Sequence, residues 1–254
     1  GVSSHQLHPF MGILAENCDE ETGECYGVQL VYSGNYALTA EISNNGFLRL
    51  QGGINDFNFN WHLASGEYFE TPQAVICYSD EGIGGLSRSF SDFLREQIIA
   101  PDKVYARRPI VVNNWEATYF DFDNQKLFNI IDEAAALGID TFVLDDGWFG
   151  KRDGDNSGLG DWYANQNKLK VGLKAVIDRC KQNGLKFGLW FEPEMISEDS
   201  DLFRAHPDWA VCKIGTQPAR GRNQLVLDMT RSEIVDYIFN AVSKILLEND
   251  ISYV

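Results

Sequence analysis

Residues 141–150 read TFVLDDGWFG, and this stretch decides the fold. Its first four residues, 141–144, are β-prone and predict a short buried strand. Successive side chains on a strand point to opposite faces, so Asp145 and Asp146 cannot both be accommodated inside it and should lie where it ends. Carboxylates beside Trp148 suit a sugar, because they bind hydroxyls while the aromatic face takes the C–H side of the ring. The stretch alone is equally compatible with a turn.

Strand-like and helix-like segments alternate on both sides of this stretch, from Pro109 onward. The predicted strands are residues 110–113, 141–144, 187–190 and a fourth that starts at 251. The predicted helices are residues 124–137, 173–180 and a third that starts after the capping-box sequence 230–233. Such an alternation predicts parallel strands joined by right-handed crossovers. No glycine-rich nucleotide-binding motif follows any of the strands.

Polar and aromatic residues follow the first three of these strands at the point where each ends. They are Asn113-Asn114-Trp115, Asp145-Asp146-Gly147-Trp148 and Trp190-Phe191-Glu192-Pro193-Glu194. In a (β/α)8 barrel the carboxyl ends of the strands carry the active site. The sequence therefore predicts an α/β fold that contains the first half of a (β/α)8 TIM barrel in residues 101–254.

The first hundred residues follow a different pattern, that of short antiparallel strands. The predicted strands are residues 25–32, 36–43, 47–51 and 73–78, and Asn45-Gly46 is a strong hairpin signal. The spacing of apolar residues in 86–98 predicts a helix that closes this region. We expect residues 1–100 to form an antiparallel sheet assembly followed by a linker helix.

Composition argues against several classes of partner. The chain has 254 residues and a net charge of −16, which argues against binding to nucleic acid or to anionic membrane surfaces. There is no run of about 18 apolar residues, so a membrane span is not expected. Five cysteines without a CxxC spacing argue against a disulfide framework and a zinc site and fit a reducing compartment, the cytoplasm.

Six motifs together resemble the large bacterial α-galactosidases of glycoside hydrolase family 36. They are HPFM at 8–11, LVYSGN at 30–35, GEYFETP at 66–72, RRPIVVNNWEAT at 107–118, LDDGWFG at 144–150 and GLWFEPEM at 188–195. The resemblance implies that residues 1–100 are the C-terminal part of an N-terminal β-sandwich domain with its linker helix. One departure is Ser91, where the family often has His.

The resemblance also implies an activity, the retaining hydrolysis of terminal α-galactosides of the melibiose and raffinose type. The implied substrate is an α-galactoside oligosaccharide, no metal or organic cofactor is needed, and the full-length protein is expected to be a homo-oligomer, a tetramer. The family's nucleophile and acid/base aspartates are expected beyond Val254. The chain is therefore expected to be a fragment that contains no catalytic residue.

Five residues match the family's substrate-binding positions. Asp145 and Asp146 resemble the pair that holds the galactose O4 and O6 hydroxyls, Trp115 and Trp190 resemble pocket tryptophans, and Arg222 resembles an arginine that reaches the sugar. The competing structural interpretations are a strand-end turn or salt bridge, core tryptophans and a solvated loop arginine.

Two further segments have less definite roles. Glu192 and Glu194 would suit an acid/base pair, but the family places its chemistry elsewhere, so structural roles are favoured. Residues 151–161 form a Gly- and Asp-rich loop expected at the mouth of the pocket.

The sequence leaves two alternative functions open. One is a galactosyl-transfer or α-N-acetylgalactosaminidase variant of the same family. The other is a non-catalytic carbohydrate-binding fragment, in which the half-barrel keeps its sugar-facing surface without performing chemistry.

Overall fold

The structure is a computed structural model that describes residues 6–57, 59–213 and 215–254. The chain divides into two compact units, Gly1–Ala106 and Arg107–Val254. None of the helices in the described ranges is long and apolar enough to cross a membrane.

The first unit contains a three-stranded antiparallel sheet and a separate hairpin. The sheet has the order β1-β2-β5, formed by Phe10–Leu14, Cys25–Val31 and Gln73–Ser79, and the hairpin consists of β3, Tyr36–Ile42, and β4, Leu48–Ile54. The hairpin turns at Gly46, whose φ of 77° is one that glycine adopts without strain, so the Asn45-Gly46 prediction is confirmed.

Helix α1 follows β5 and packs on the three-stranded sheet. It spans Gly82–Phe93 and continues as one π-helical segment, Leu94–Ile98, so it begins four residues before the predicted start. Phe90 lies against the sheet where Gly27 provides room, because a Cβ at Gly27 would lie 2.5 Å from the Phe90 ring. Cys25, Leu86 and Phe90 form the small buried core of this unit.

The second unit contains the predicted parallel strands. They are β6, Val111–Asn113, β7, Thr141–Leu144, and β8, Lys186–Leu189, in the order β6-β7-β8. The fourth predicted strand is present as one parallel bridge, in which Tyr253 pairs with Gly188. The fold prediction is confirmed, because parallel strands separated by helices are the unit from which a (β/α)8 barrel is built.

Helices connect these strands, and all three predicted helices are present. The helices are α2, Trp115–Thr118, α3, Asn124–Ala136, α4, Leu173–Gln182, α5, Asp201–Ala205, and α6, Ser232–Glu248; a short hairpin pairs β9, Met195–Ile196, with β10, Leu225–Val226. The Asp123 carboxylate caps α3 by accepting a hydrogen bond from Lys126 N at 2.9 Å. Gly138 and Gly184 follow α3 and α4 with φ of 76° and 75°, the left-handed stop typical of glycine.

The capping box predicted at residues 230–233 is wrong. The N-cap of α6 is Arg231, and no side chain caps the helix. The Thr230 hydroxyl instead donates to Asp228 Oδ1 at 2.6 Å, and Glu233 accepts from Arg231 Nε at 2.7 Å. The Asp228 carboxylate and the Arg231 guanidinium thus bind the Thr230 and Glu233 side chains that a capping box would use.

The core of the second unit lies between the sheet and its helices. All four residues of β7 are buried, which is why this strand reads as a continuous β-prone run. The connecting segments contribute to this core as well as the strands and helices. The buried apolar side chains that come from β7, β8, α3, α4 and α6 include Leu127, Ile131, Phe142, Leu144, Val176, Cys180, Phe187, Leu189, Ile234 and Ile238.

Candidate functional site

The carboxyl ends of β6, β7 and β8 lie side by side. In the parallel register Asn113 pairs with Val143, and Leu144 pairs with Leu189. The residues that leave these strands therefore emerge at one edge of the sheet. This edge brings together the strand-end side chains that the sequence predicts for the site.

Two asparagines connect the end of β6 to Asp145. The buried Asn114 side chain accepts a hydrogen bond from Asp145 N at 2.8 Å, and the Asn113 amide donates to Asp145 Oδ2. Asn113 Oδ1 also accepts from Trp115 N at 2.7 Å, which fixes the start of α2. Asp145 is half-buried, so its carboxylate is held by neutral amides and still reaches the surface.

Asp146 is held quite differently, by a buried arginine. Asp146 is 4% exposed, and Arg152 is fully buried. Arg152 Nε lies 2.9 Å from Asp146 Oδ1, and its terminal nitrogen lies 2.8 Å from Oδ2, which is a two-pronged ion pair. This role of Arg152 is not predictable from the sequence, because an arginine six residues after a carboxylate has no spacing that marks it as a partner.

Lys168 anchors the loop that carries Arg152 through hydrogen bonds and an ion pair. Its ammonium donates to Gly147 O at 3.2 Å and to Arg152 O at 2.7 Å, and it lies 3.2 Å from the Asp153 carboxylate. The side chain is 10% exposed, and burial lowers the pKa of its ammonium although the Asp153 carboxylate opposes this shift. Phe122 packs against it, with the ring centroid 4.8 Å from Nζ.

Gly147 occupies the turn between the carboxylate pair and this loop. Its φ is 101°, and a Cβ at this position would lie 3.1 Å from Lys168 Nζ and 3.2 Å from Phe120 Cδ1. The turn therefore requires glycine for its conformation and for the close approach of its neighbours.

Replacing this glycine should measurably destabilise the protein. We expect Gly147→Ala to lower the free energy of unfolding by about 1–3 kcal/mol, the usual cost of a non-glycine residue in this backbone region. Thermal unfolding of the whole protein that carries this chain measures the effect. Gly154→Ala, in the same loop without a positive φ, is the control, and equal stability of the two variants would contradict the role given to Gly147.

Aromatic side chains follow the ends of β6, β7 and β8. Trp190 is half-buried and stacks on Phe149, with ring centroids 6.2 Å apart and planes 15° from parallel. Trp148 is fully buried, and its Nε1 donates to Trp190 O at 2.9 Å, so it supports Trp190 from the core. Trp115 is also half-buried and contacts the edge of Phe120, with ring centroids 5.0 Å apart. Trp115 and Trp190 thus keep exposed area at the edge where the strands end.

Arg222 lies in a tight turn between residues 220 and 224. It is exposed, with a φ of 53°, and Gly221 and Gln224 bridge across the turn. The buried Gln224 connects this turn to the β8 end, because its amide donates to Glu192 Oε2 at 3.4 Å. The positive charges of Arg152 and Arg222 both act to lower the pKa of Glu192.

Glu192 is half-buried, and charged neighbours of both signs act on its carboxyl group. Burial, then the neighbouring Glu194, raises the pKa of Glu192, while the two arginines oppose the shift. A carboxyl group whose pKa is raised on folding favours the folded state at low pH, and this contribution is lost as the pH rises through the folded-state pKa.

We therefore expect Glu192→Gln to gain stability relative to the wild type as the pH rises from about 4 to about 7. The measurement is the melting temperature of both proteins across this range. Glu133→Gln, on the exposed surface of α3, is the control. A difference in melting temperature between the wild type and Glu192→Gln that stays constant with pH would contradict the effect of burial on the Glu192 pKa.

The arrangement suits binding of a polyhydroxylated ring. Two adjacent carboxylates supply strong hydrogen-bond acceptors, and two partly exposed tryptophans supply flat apolar faces. Within residues 6–57, 59–213 and 215–254, no group of three or more His, Cys, Asp or Glu side chains is placed to hold a metal ion.

Comparisons with known proteins point to sugar hydrolases. The melibiase family model matches residues 68–254, and the model of the glycosyl hydrolase family 36 N-terminal domain matches residues 1–64. Alpha-galactosidase AgaA of Geobacillus stearothermophilus is 47% identical over 254 residues, and Alpha-galactosidase Mel36A of Lactobacillus acidophilus is 46% identical. Each match covers all of this chain and 35% of the relative, so the chain spans about a third of their length.

Solved structures give the same result. The crystal structure of the GH36 alpha-galactosidase AgaA matches with a TM-score of 0.96 and 46% identity, over 99% of this chain and 35% of that one. Variants of AgaA in complex with stachyose and with raffinose match with the same TM-score, identity and coverage.

Proposed function

This chain belongs to the melibiase family, and on that premise we propose that the whole protein carrying it is a retaining glycoside hydrolase that releases terminal α-linked galactose from α-galactosides. The observation that carries the proposal is the carboxylate pair at the end of β7. Asp145 and Asp146 follow β7, and Trp190, whose backbone N–H donates to Leu144 O at 3.0 Å, follows the neighbouring strand β8. Barrels of this type bind their substrates at this carboxyl edge.

We assign each predicted site residue a role toward the terminal galactose. Asp145 and Asp146 accept hydrogen bonds from the O4 and O6 hydroxyls, and Trp190 and Trp115 pack against the apolar faces of the sugar. Arg222 reaches the sugar from its turn. The position of Asp145, Asp146 and the two tryptophans after the ends of β6, β7 and β8 supports the assignment, as does the half-burial of Asp145 and both tryptophans.

The ligands of the relatives support a substrate class for this protein. Structures of AgaA variants hold stachyose and raffinose, which supports α-galactoside oligosaccharides of the melibiose and raffinose type as substrates here. Retaining hydrolysis needs two carboxyl groups about 5–5.5 Å apart, one as nucleophile and one as acid/base. We propose that these two groups lie outside residues 1–254 and that Glu192 and Glu194 have structural roles.

The direct test is the product that the whole protein releases from raffinose. Proton nuclear magnetic resonance follows the first turnovers, and the proposal expects galactose that appears first as the α-anomer. Initial release of the β-anomer would contradict a retaining mechanism. Failure to release galactose from either raffinose or stachyose would contradict the proposed activity, and transfer of galactose to a second sugar would favour the galactosyl-transfer alternative.

We also propose that the whole protein is a homotetramer. The first unit exposes large aromatic side chains, with Trp61 60% and Tyr68 86% exposed, and such surfaces commonly mark contacts between subunits. Light scattering on the whole protein measures its mass, and a monomer at micromolar concentration would contradict this proposal.

Domain organisation and location complete the proposal. We assign residues 1–100 to the sheet domain with its linker helix and 101–254 to the barrel; the compact units divide six residues later, after Ala106.

The five cysteines are free thiols, two of them buried, which supports a cytoplasmic location.

A further inference from the structure

Asp146 is the only one of the two paired carboxylates that carries a cation partner among the described residues. Arg152 reaches it with two nitrogens, and a third hydrogen bond runs from the other terminal nitrogen of Arg152 to Ser157 O at 2.9 Å. Asp145 accepts instead from the Asn113 amide and from Asp146 N. The two carboxylates are thus fixed by different means, and Asp146 is oriented by one side chain.

The guanidinium of Arg152 has little freedom to move. The side chain is fully buried, and Phe120 lies over it with the ring centroid 5.5 Å from the guanidinium carbon. Its own backbone is anchored twice, because Arg152 N donates to Phe149 O at 3.1 Å and Lys168 donates to Arg152 O. An arginine held at both ends fixes the plane of the carboxylate that it binds.

We propose that Arg152 is a positioning residue that orients the Asp146 carboxylate toward the galactose hydroxyls. An ionised carboxylate offers about four acceptor positions, and the two-pronged pair occupies those on the arginine side. The remaining positions face away from Arg152 and are left for the substrate. This inference rests on the proposed function and adds a residue that acts on the sugar only through Asp146.

A purely structural ion pair would behave differently. It would stabilise the loop and affect every substrate equally, because no sugar hydroxyl would depend on its geometry. The distinguishing property of a positioning residue is that its effect disappears when the hydroxyl bound by Asp146 is removed from the substrate.

The experiment uses Arg152→Lys in the whole protein, with three aryl α-galactosides as substrates. Lysine keeps the charge but cannot form the two-pronged pair. We expect kcat/KM on p-nitrophenyl α-galactoside to fall about 10- to 100-fold, the usual effect of a misplaced binding group. The other two substrates are the 4-deoxy and 6-deoxy analogues, and one of them lacks the hydroxyl that Asp146 binds. On that analogue the fall in kcat/KM caused by Arg152→Lys should be less than about threefold.

The chain offers a matched control in Arg179→Lys. Arg179 forms the same kind of two-pronged pair with Asp132, with Nε 2.8 Å from Oδ1, between α4 and α3 and away from the sheet edge. This variant loses a two-pronged ion pair without touching Asp146, although the Arg179 and Asp132 side chains are 38% and 39% exposed and those of Arg152 and Asp146 only 0% and 6%. We expect its kcat/KM on all three substrates to remain within about twofold of the wild type.

A second variant covers the case in which Arg152→Lys fails to fold. Asp146→Asn combined with Arg152→Gln removes both buried charges together, which avoids an uncompensated charge. If Arg152 acts through Asp146, this double variant should be no less active than a single Asp146→Asn variant.

The outcomes separate positioning from a purely structural role. If Arg152→Lys lowers kcat/KM equally on all three substrates, or on none of them, the positioning role is overturned and the proposed function is unaffected. A folded double variant that is much less active than Asp146→Asn would overturn it as well. Absence of wild-type turnover would overturn the proposed function, and this inference with it.

Discussion

Asp146→Ala is expected to lower kcat/KM of the whole protein on p-nitrophenyl α-galactoside by at least about 100-fold. A hydrogen bond to a charged group contributes about 1.5–3 kcal/mol, and the proposed role gives this carboxylate such bonds to the sugar. Each 1.4 kcal/mol or so of lost transition-state stabilisation corresponds to about tenfold in rate. Wild-type kcat/KM in this variant would contradict the assignment of the carboxylate pair.

This variant also leaves the buried Arg152 without its counter-charge. Breaking a buried ion pair on one side costs about 3–5 kcal/mol of folding free energy, so the folded fraction must be measured alongside activity. Asp146→Asn keeps the shape and part of the hydrogen bonding and serves as the milder comparison. Asp178→Ala removes an exposed carboxylate that pairs with Lys174 on α4, and we expect it to leave both activity and folding unchanged.

The 254 residues produced as a separate polypeptide are expected to show no turnover of the same substrate. We propose that Asp145, Asp146 and the neighbouring tryptophans hold the sugar, and a retaining mechanism needs in addition a nucleophile and an acid/base. The parallel sheet also has β6 at an open edge among the described residues, whereas a barrel closes on itself.

The comparison for this prediction is the whole protein, assayed under the same conditions. Turnover by the separate polypeptide would require a catalytic pair within it, and Glu192 with Glu194 is the pair to examine. Loss of that turnover in Glu192→Gln would show that the catalytic residues lie at the end of β8 and would refute the structural role proposed for Glu192 and Glu194.

The strands and the carboxylate pair were predictable because their signals are local. The run of residues 141–144 matches β7 residue for residue, since a strand buried on both faces needs a continuous β-prone sequence. The position of Asp145 and Asp146 followed from the alternation of side chains along a strand. Gly138 and Gly184 end their helices as predicted because the left-handed stop is a property of a single residue.

The partners of the site residues were not predictable, because they depend on how loops fold back. Arg152 meets Asp146 only after the chain turns at Gly147 and is pinned by Lys168, which is 16 residues further along. Asn114 meets Asp145 across 31 residues. The failed capping box at the start of α6 has the same origin, because Asp228 and Arg231 offered Thr230 and Glu233 alternative partners.

We propose that the carboxylate pair at the end of β7 recognises a terminal α-galactose. The most direct measurement is the ratio of kcat/KM for p-nitrophenyl α-galactoside to that for p-nitrophenyl α-glucoside in the whole protein, since the two sugars differ only in the orientation of the C4 hydroxyl. A site built to hydrogen-bond that hydroxyl predicts a ratio above about 1000. Comparable kcat/KM values for the two substrates would contradict the account.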